Sequence, residues 1–136
     1  MKVLLVDDEE QFRIAVAKQL TVRGHTVHEA GTGEEGLAMT KDISLDVVLL
    51  DMRLPGMNGT ATLQEMKRVS PLTEIIMLTG HATVKAAMEA INMGAFDYMT
   101  KPMGINELIY KMEDAYTKKR LAKQQIKVTA TPVNNR

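Results

Sequence analysis

The amino-acid sequence predicts an α/β domain in which a five-stranded parallel sheet is doubly wound, with helices on both of its faces. Short apolar runs alternate five times with segments that have helical spacing, and the connections are only a few residues long. The run at residues 46–51 holds four consecutive apolar residues without alternation, which is typical of a strand buried on both faces. Such an alternation implies a parallel sheet with right-handed crossovers.

The composition indicates one globular domain. The chain has 136 residues, 45% of them apolar, and its 17 basic and 17 acidic side chains balance, so global charge gives no reason to expect a nucleic acid or membrane partner. The absence of cysteine excludes disulfides and thiolate chemistry. Neither a membrane-spanning run nor a signal-peptide pattern is visible, so we expect a cytoplasmic protein.

The first half of the chain predicts two strands and two helices before the central strand. Residues 2–7 and 25–30 read as strands, and residues 9–23 have helical spacing that ends at Gly24. Residues 33–39 predict a weaker helix, because two glycines lower its helical propensity.

The second half continues the pattern. It predicts helices at residues 59–69, 84–91 and 105–116 and strands at residues 74–79 and 96–100. The helical pattern thins from about Leu121, so we expect a domain over residues 1–121. Residues 122–136 would form a C-terminal extension, linker or tail.

Polar side chains stand at the ends of the predicted strands. The carboxyl ends of parallel strands meet at one edge of the sheet, where open α/β sheets bind ligands. These ends carry Asp7, Asp8, Asp51, Thr79 and Lys101. Clustered carboxylates repel one another unless a cation is present, and Mg²⁺ prefers oxygen ligands of this kind. The set suits phosphoryl transfer to a carboxylate.

The turn after Asp51 supports this interpretation. Pro55 and Gly56 cannot continue the strand, and Gly56 and Gly59 allow backbone angles that other residues resist. An aspartate after a strand also commonly begins a turn, and Asp51 considered alone fits that role equally well.

Four stretches together carry a resemblance to a known family: VLLVDDE at residues 3–9, LLDMRLPGMNG at 49–59, LTGH at 78–81 and GAFDYMTKP at 94–102. With these stretches, residues 2 to about 120 resemble the receiver domain of bacterial two-component response regulators, and within it the nitrogen-regulation (NtrC-like) class. The resemblance implies the flavodoxin-like strand order 2-1-3-4-5.

The resemblance implies a role for each site residue. Asp51 would be the phosphoacceptor, and Mg²⁺, or Mn²⁺ in its place, would be held by Asp7, Asp8, Asp51 and the backbone carbonyl of Arg53. Lys101 would pair with Asp51 and then with the phosphoryl group. Thr79 would be the switch hydroxyl and Tyr98 the switch aromatic, although most aromatics on short strands simply pack. The Lys101–Pro102 bond would be cis.

The implied function is a phosphorylation switch. The phosphoryl group would come from a sensor histidine kinase or a phosphotransfer protein. The surface of the fourth helix, fifth strand and fifth helix would then form a homodimer or dock an output domain, with transcription regulation as the expected output. Such a domain is not a conventional enzyme, although it catalyses its own phosphorylation and dephosphorylation. The bulky Arg53 and His81 border the route of attacking water and suggest a long-lived phosphoryl group.

Three other functions fit the sequence less well. A phosphatase of the haloacid dehalogenase type would carry Asp-x-Asp on its first strand, where this chain has Asp7-Asp8-Glu9. A receiver-like module that no longer accepts phosphate would be expected to lack a site residue, and none is missing. A nucleotide- or flavin-binding domain would need a glycine-rich loop after the first strand.

Overall fold

A computed structural model describes residues 1–80 and 83–130 of the chain. Each apolar run of the sequence forms a strand, and each segment with helical spacing forms the helix that follows it. In chain order the elements are β1 (Lys2–Val6), α1 (Glu10–Val22), β2 (Thr26–Ala30), α2 (Gly33–Asp42), β3 (Val47–Asp51), α3 (Gly59–Val69), β4 (Glu74–Thr79), α4 (Val84–Asn92), β5 (Asp97–Thr100) and α5 (Ile105–Ala130).

The strands form one parallel sheet in the order β2-β1-β3-β4-β5. This confirms the predicted fold class and the strand order that the resemblance implied. Every residue of β3 and β4 is buried, as the unbroken apolar runs predicted. The register pairs Asp51 with Leu78, so the carboxyl ends of β3 and β4 lie side by side.

Two apolar clusters cover the two faces of the sheet. One joins Leu5 and Leu49 to Leu20 of α1 and Met112 of α5. The other joins β-strand residues of the opposite face to α2, α3 and α4, and it includes the fully buried Leu63 of α3. Alternate residues of each strand therefore pack against helices on opposite faces of the sheet, as expected for a doubly wound sheet.

Helix α2 extends to Asp42, beyond the predicted residues 33–39, and it has a cap and close packing that the sequence pattern did not indicate. The Thr32 hydroxyl oxygen accepts a hydrogen bond from the amide of Glu35 and caps the helix. A Cβ at Gly33 would stand 2.3 Å from the Thr62 hydroxyl, and one at Gly36 would stand 2.8 Å from Val6. The glycines thus permit close packing, and that packing outweighs their poor helical propensity.

Helix α5 continues to Ala130, well past the point where the apolar pattern thins. Two consecutive lysines in the middle of the helix pair with acids at the amino ends of β4 and β3: Lys118 pairs with Glu74 at 3.2 Å, and Lys119 pairs with Asp46 at 2.8 Å. The division at residue 121 remains a prediction. Within the described ranges, no helix has both the length and the apolar character needed to cross a membrane.

Candidate functional site

Three carboxylates meet at the carboxyl edge of the sheet. Asp7 and Asp8 follow β1, and Asp51 is the last residue of the adjacent strand β3. One carboxylate oxygen of each lies within 4.8 Å of the others. Asp7 and Asp51 are buried, whereas Asp8 is exposed. The structure therefore brings together the three acids that the strand ends predicted.

Asp7 is the most enclosed of these acids, with no solvent exposure. One of its carboxylate oxygens accepts the amide of Glu9 at 2.8 Å, and the other accepts Lys101 Nζ at 2.5 Å. Burial raises the pKa of Asp7, and the charge of Asp51 adds to the rise, while the bonds from Lys101 and Glu9 partly counter it. The pocket thus holds negative charge at a free-energy cost that a cation would reduce.

Lys101 supplies the positive charge among the acids. Its ammonium also lies 3.2 Å from an oxygen of Asp51 and 3.2 Å from an oxygen of Glu9. Burial alone would lower the pKa of Lys101, but the bonds and charges of Asp7 and Asp51 outweigh it and raise that pKa. The ammonium stands 4.2 Å from the centre of the Phe12 ring, a cation–π distance.

The backbone around Lys101 fixes its position. Its amide donates to the carbonyl of Thr79 at 2.7 Å, which ties the end of β5 to the end of β4. The Lys101–Pro102 peptide bond is cis. The lysine enters the pocket from a segment that is hydrogen-bonded to the end of β4.

The loop after Asp51 is built on two glycines for different reasons. Gly56 has φ 69°, the left-handed conformation that the sequence pattern suggested. Gly59 has no such φ; a Cβ there would stand 2.3 Å from the backbone oxygen of Asp51 and 2.6 Å from Met52 Cα. The expectation of an unusual backbone angle at Gly59 was wrong, because close approach of α3 to the loop is what requires a glycine.

An open cleft of about 320 Å³ lies over the acids. It is lined by Asp8, Glu9, Asp51, Arg53, Gly80 and Lys101. Arg53 is exposed at this cleft, and its amide donates to Asp51 at 3.0 Å. The carboxylates provide the hard oxygen ligands that suit Mg²⁺, and the cleft leaves room for a phosphoryl group and water.

The two predicted switch residues lie on adjacent strands of the sheet, Thr79 on β4 and Tyr98 on β5. Thr79 is the last residue of β4 and is only 1% exposed. It follows Leu78, the residue that pairs with Asp51 in the sheet. Tyr98 pairs with Met77 of β4 and is half-buried in a separate apolar groove of about 220 Å³. That groove is lined by Val84, Ala87, Met88, Ile91, Asn92 and Tyr98. His81 lies outside the described residues.

Sequence reasoning missed three side chains at this site. Glu9 was not among the predicted site residues, yet it pairs with Lys101. Phe12, whose ring centre lies 4.2 Å from the Lys101 ammonium, and Arg13 were not predicted site residues either. Arg13 donates to the backbone oxygen of Asp7 at 2.7 Å. No motif contains Phe12 or Arg13, and the motif at residues 3–9 contains Glu9 without assigning it a role, because these roles come from contacts between α1 and the strand ends.

Comparison with known proteins identifies related sequences. A family model described as "Response regulator receiver domain" matches residues 3–113. The regulatory protein AtoC of Escherichia coli is 39% identical over 107 residues, which are 79% of this chain and 23% of AtoC. The DNA-binding transcriptional regulator NtrC of Salmonella typhimurium is 37% identical over 113 residues, 83% of this chain and 24% of NtrC. The chain thus spans about a quarter of the length of these relatives.

Solved structures give the same result. A CheY-like response regulator receiver domain protein from Methanospirillum hungatei has a TM-score of 0.85 and 29% identity, covering 89% of this chain and 97% of that one. NtrX from Brucella abortus has a TM-score of 0.88 and 31% identity, covering 99% of this chain and 31% of that one. Longer regulators therefore contain a domain with this fold.

Proposed function

Because this chain belongs to the family of response regulator receiver domains, we propose that it accepts a phosphoryl group on Asp51 from a sensor histidine kinase or a phosphotransfer protein. The main support is the meeting of three carboxylates within 4.8 Å beside a lysine. A two-component phosphorylation switch needs this combination, because an acceptor carboxylate must sit among positive charges that neutralise the incoming group.

Asp7, Asp8, Asp51 and the backbone carbonyl of Arg53 are the groups that would hold Mg²⁺ or Mn²⁺. The ion would neutralise charge on the phosphoryl oxygens. Asp51 is the nucleophile in this proposal, and its two oxygens already have different partners. One accepts the amide of Arg53, and the other lies by Lys101. The Arg53 amide would orient the carboxylate, and Lys101 would pair with the negative charge that develops on the phosphoryl oxygens.

Phosphorylation would then change the surface formed by α4, β5 and α5. Thr79 would bond the phosphoryl group, and Tyr98 would change its position in the groove beside α4. Three apolar residues of α4 are strongly exposed at this face: Val84 by 73%, Met88 by 61% and Ile91 by 42%. Exposed apolar side chains of this kind favour a protein partner.

We propose that this partner is a second phosphorylated copy or an attached output domain, with transcription regulation as the output. Residues 1–121 would be the receiver and residues 122–136 an extension toward such a domain. The bulky Arg53 supports a long-lived phosphoryl group. A lifetime of only seconds, unchanged in Arg53→Ala, would contradict that part of the proposal.

Light scattering with Mg²⁺ and beryllofluoride tests the main proposal. Beryllofluoride stands in for the phosphoryl group, so we expect a rise from monomer to dimer mass that is lost in Asp51→Asn. Met88→Glu should still bind beryllofluoride but remain monomeric. Binding of beryllofluoride by Asp51→Asn with the affinity of the original protein would refute Asp51 as the acceptor. Binding without a mass change would remove self-association as the output.

A further inference from the structure

We infer that Arg13 is a positioning residue of the metal site: it fixes the peptide between Asp7 and Asp8 and thereby sets the affinity for Mg²⁺. Arg13 lies on α1 and has no place in the family motifs quoted above. This inference rests on the proposed function, since Asp8 acts as a metal ligand only there.

Asp7 has a partner for each of its polar groups. Its amide donates to the carbonyl of Ala30 at 3.0 Å, which continues the ladder between β1 and β2. Its carboxylate accepts Glu9 and Lys101. Its carbonyl oxygen accepts Nη1 of Arg13 at 2.7 Å. Loss of the guanidinium would therefore remove the Arg13 contact from a part-buried carbonyl.

The orientation of Asp8 depends on that carbonyl. The carbonyl of Asp7 and the amide of Asp8 belong to the same planar peptide unit, so a donor that holds one end orients the other. The Asp8 side chain is exposed, and we find no hydrogen bond or ion pair to it within residues 1–80 and 83–127. The backbone is therefore what directs the Asp8 carboxylate into the cleft.

The Arg13 side chain is itself held in place by a second contact, so it can fix the position of the Asp7 carbonyl. Its Nε donates to Glu29 on β2 at 3.1 Å, and its side chain is only 18% exposed. It also lies over Gly31, where an added Cβ would stand 3.4 Å from Nη1. The guanidinium thus connects α1, β2 and the loop that carries Asp8. Lysine cannot reproduce this, because one ammonium lacks the planar fork that donates in two fixed directions.

Isothermal titration with Mg²⁺ tests the inference on the whole chain. We expect Arg13→Ala to weaken Mg²⁺ binding about tenfold, as is usual when a group that orients a metal ligand is lost. Arg13→Lys should weaken it nearly as much. Arg23→Ala is the matched control, since Arg23, the residue that follows α1, also donates to a backbone carbonyl, that of Gln19, but at the far end of the helix. It should bind Mg²⁺ like the original protein.

Amide exchange without metal provides a second measurement. In Arg13→Ala the amide of Glu9, which donates to Asp7, should exchange faster, whereas the amides of β3 should not. If Arg13→Ala proves too unstable to titrate, Glu29→Gln should still show about threefold weaker Mg²⁺ binding, because the guanidinium keeps its carbonyl contact but loses its ionic anchor.

The outcomes separate the inference from the proposed function. Binding by Arg13→Ala within twofold of the original protein would overturn the inference, and so would full rescue by Arg13→Lys, which would leave only a charge effect. If the original protein binds no Mg²⁺, or Asp8→Asn binds it equally well, the proposed function fails first.

Discussion

Replacing Gly59 with alanine should damage both stability and the site, because α3 packs directly on the loop that follows the acceptor. The new Cβ would lie 2.3 Å from the Asp51 carbonyl oxygen, where ordinary contacts begin at 3.4 Å. The helix and loop must therefore separate by about 1 Å. The atoms in the way belong to the backbone, so no side chain can rotate to make room.

The cost follows from this displacement. Overpacking of this kind costs about 1–3 kcal/mol, and the backbone obstacle favours the upper half of that range. Alanine recovers at most about 1 kcal/mol of helical propensity. We expect a net loss of about 2 kcal/mol in the free energy of unfolding. With a urea slope of about 2 kcal/mol per molar, the unfolding midpoint should fall by about 1 M.

Urea unfolding followed by circular dichroism measures this loss, with Gly104→Ala as the control. A Cβ at Gly104 meets no described heavy atom within 4 Å, so that variant should lose no more than about 1 kcal/mol, the cost of alanine in place of glycine just before α5. Gly59→Ala should also bind beryllofluoride at least tenfold more weakly, since Asp51 moves with its carbonyl. Equal stability of Gly59→Ala and Gly104→Ala would refute the packing argument.

Two further predictions concern charge. Burial alone would raise the pKa of Asp46, but the bonds from Lys119 and the Lys2 amide outweigh it and lower that pKa below its ordinary value. The ionised Asp46 therefore stabilises the fold above the unfolded pKa, and this stabilisation is lost as pH falls through the lower folded pKa. Asp46→Asn should lower the free energy of unfolding by about 1 kcal/mol at pH 7. In acid titrations, the difference in stability between Asp46→Asn and the original protein should shrink below about pH 4. Lys101→Met removes the ammonium that pairs with Asp7 and Asp51, so the free energy of unfolding of the metal-free protein should fall by about 3 kcal/mol. In thermal melts, Mg²⁺ should stabilise this variant more than it stabilises the original protein. Equal Mg²⁺ stabilisation of both proteins would contradict this.

Much of the fold could be read from local patterns. Residues 46–51 and 74–79 predicted buried strands because apolar character on both faces is a property of the segment itself. The same reasoning located Asp7 and Asp51, since a polar residue that ends such a run must lie at the sheet edge. Gly24 was also predicted to close a helix, and it has positive φ.

The sequence by itself thus determined the strands, their shared carboxyl edge and the acids that collect there, because hydrophobic periodicity and chain direction fix these features locally. Only the tertiary structure decided that α3 approaches closely enough to require Gly59, that Glu9 shares Lys101 with the acids, and that Arg13 supports Asp7. It also decided that α5 continues to Ala130 and that Lys118 and Lys119 pair with acids at the amino ends of β4 and β3. These features depend on distances between segments far apart in the chain, and no local pattern encodes such a distance.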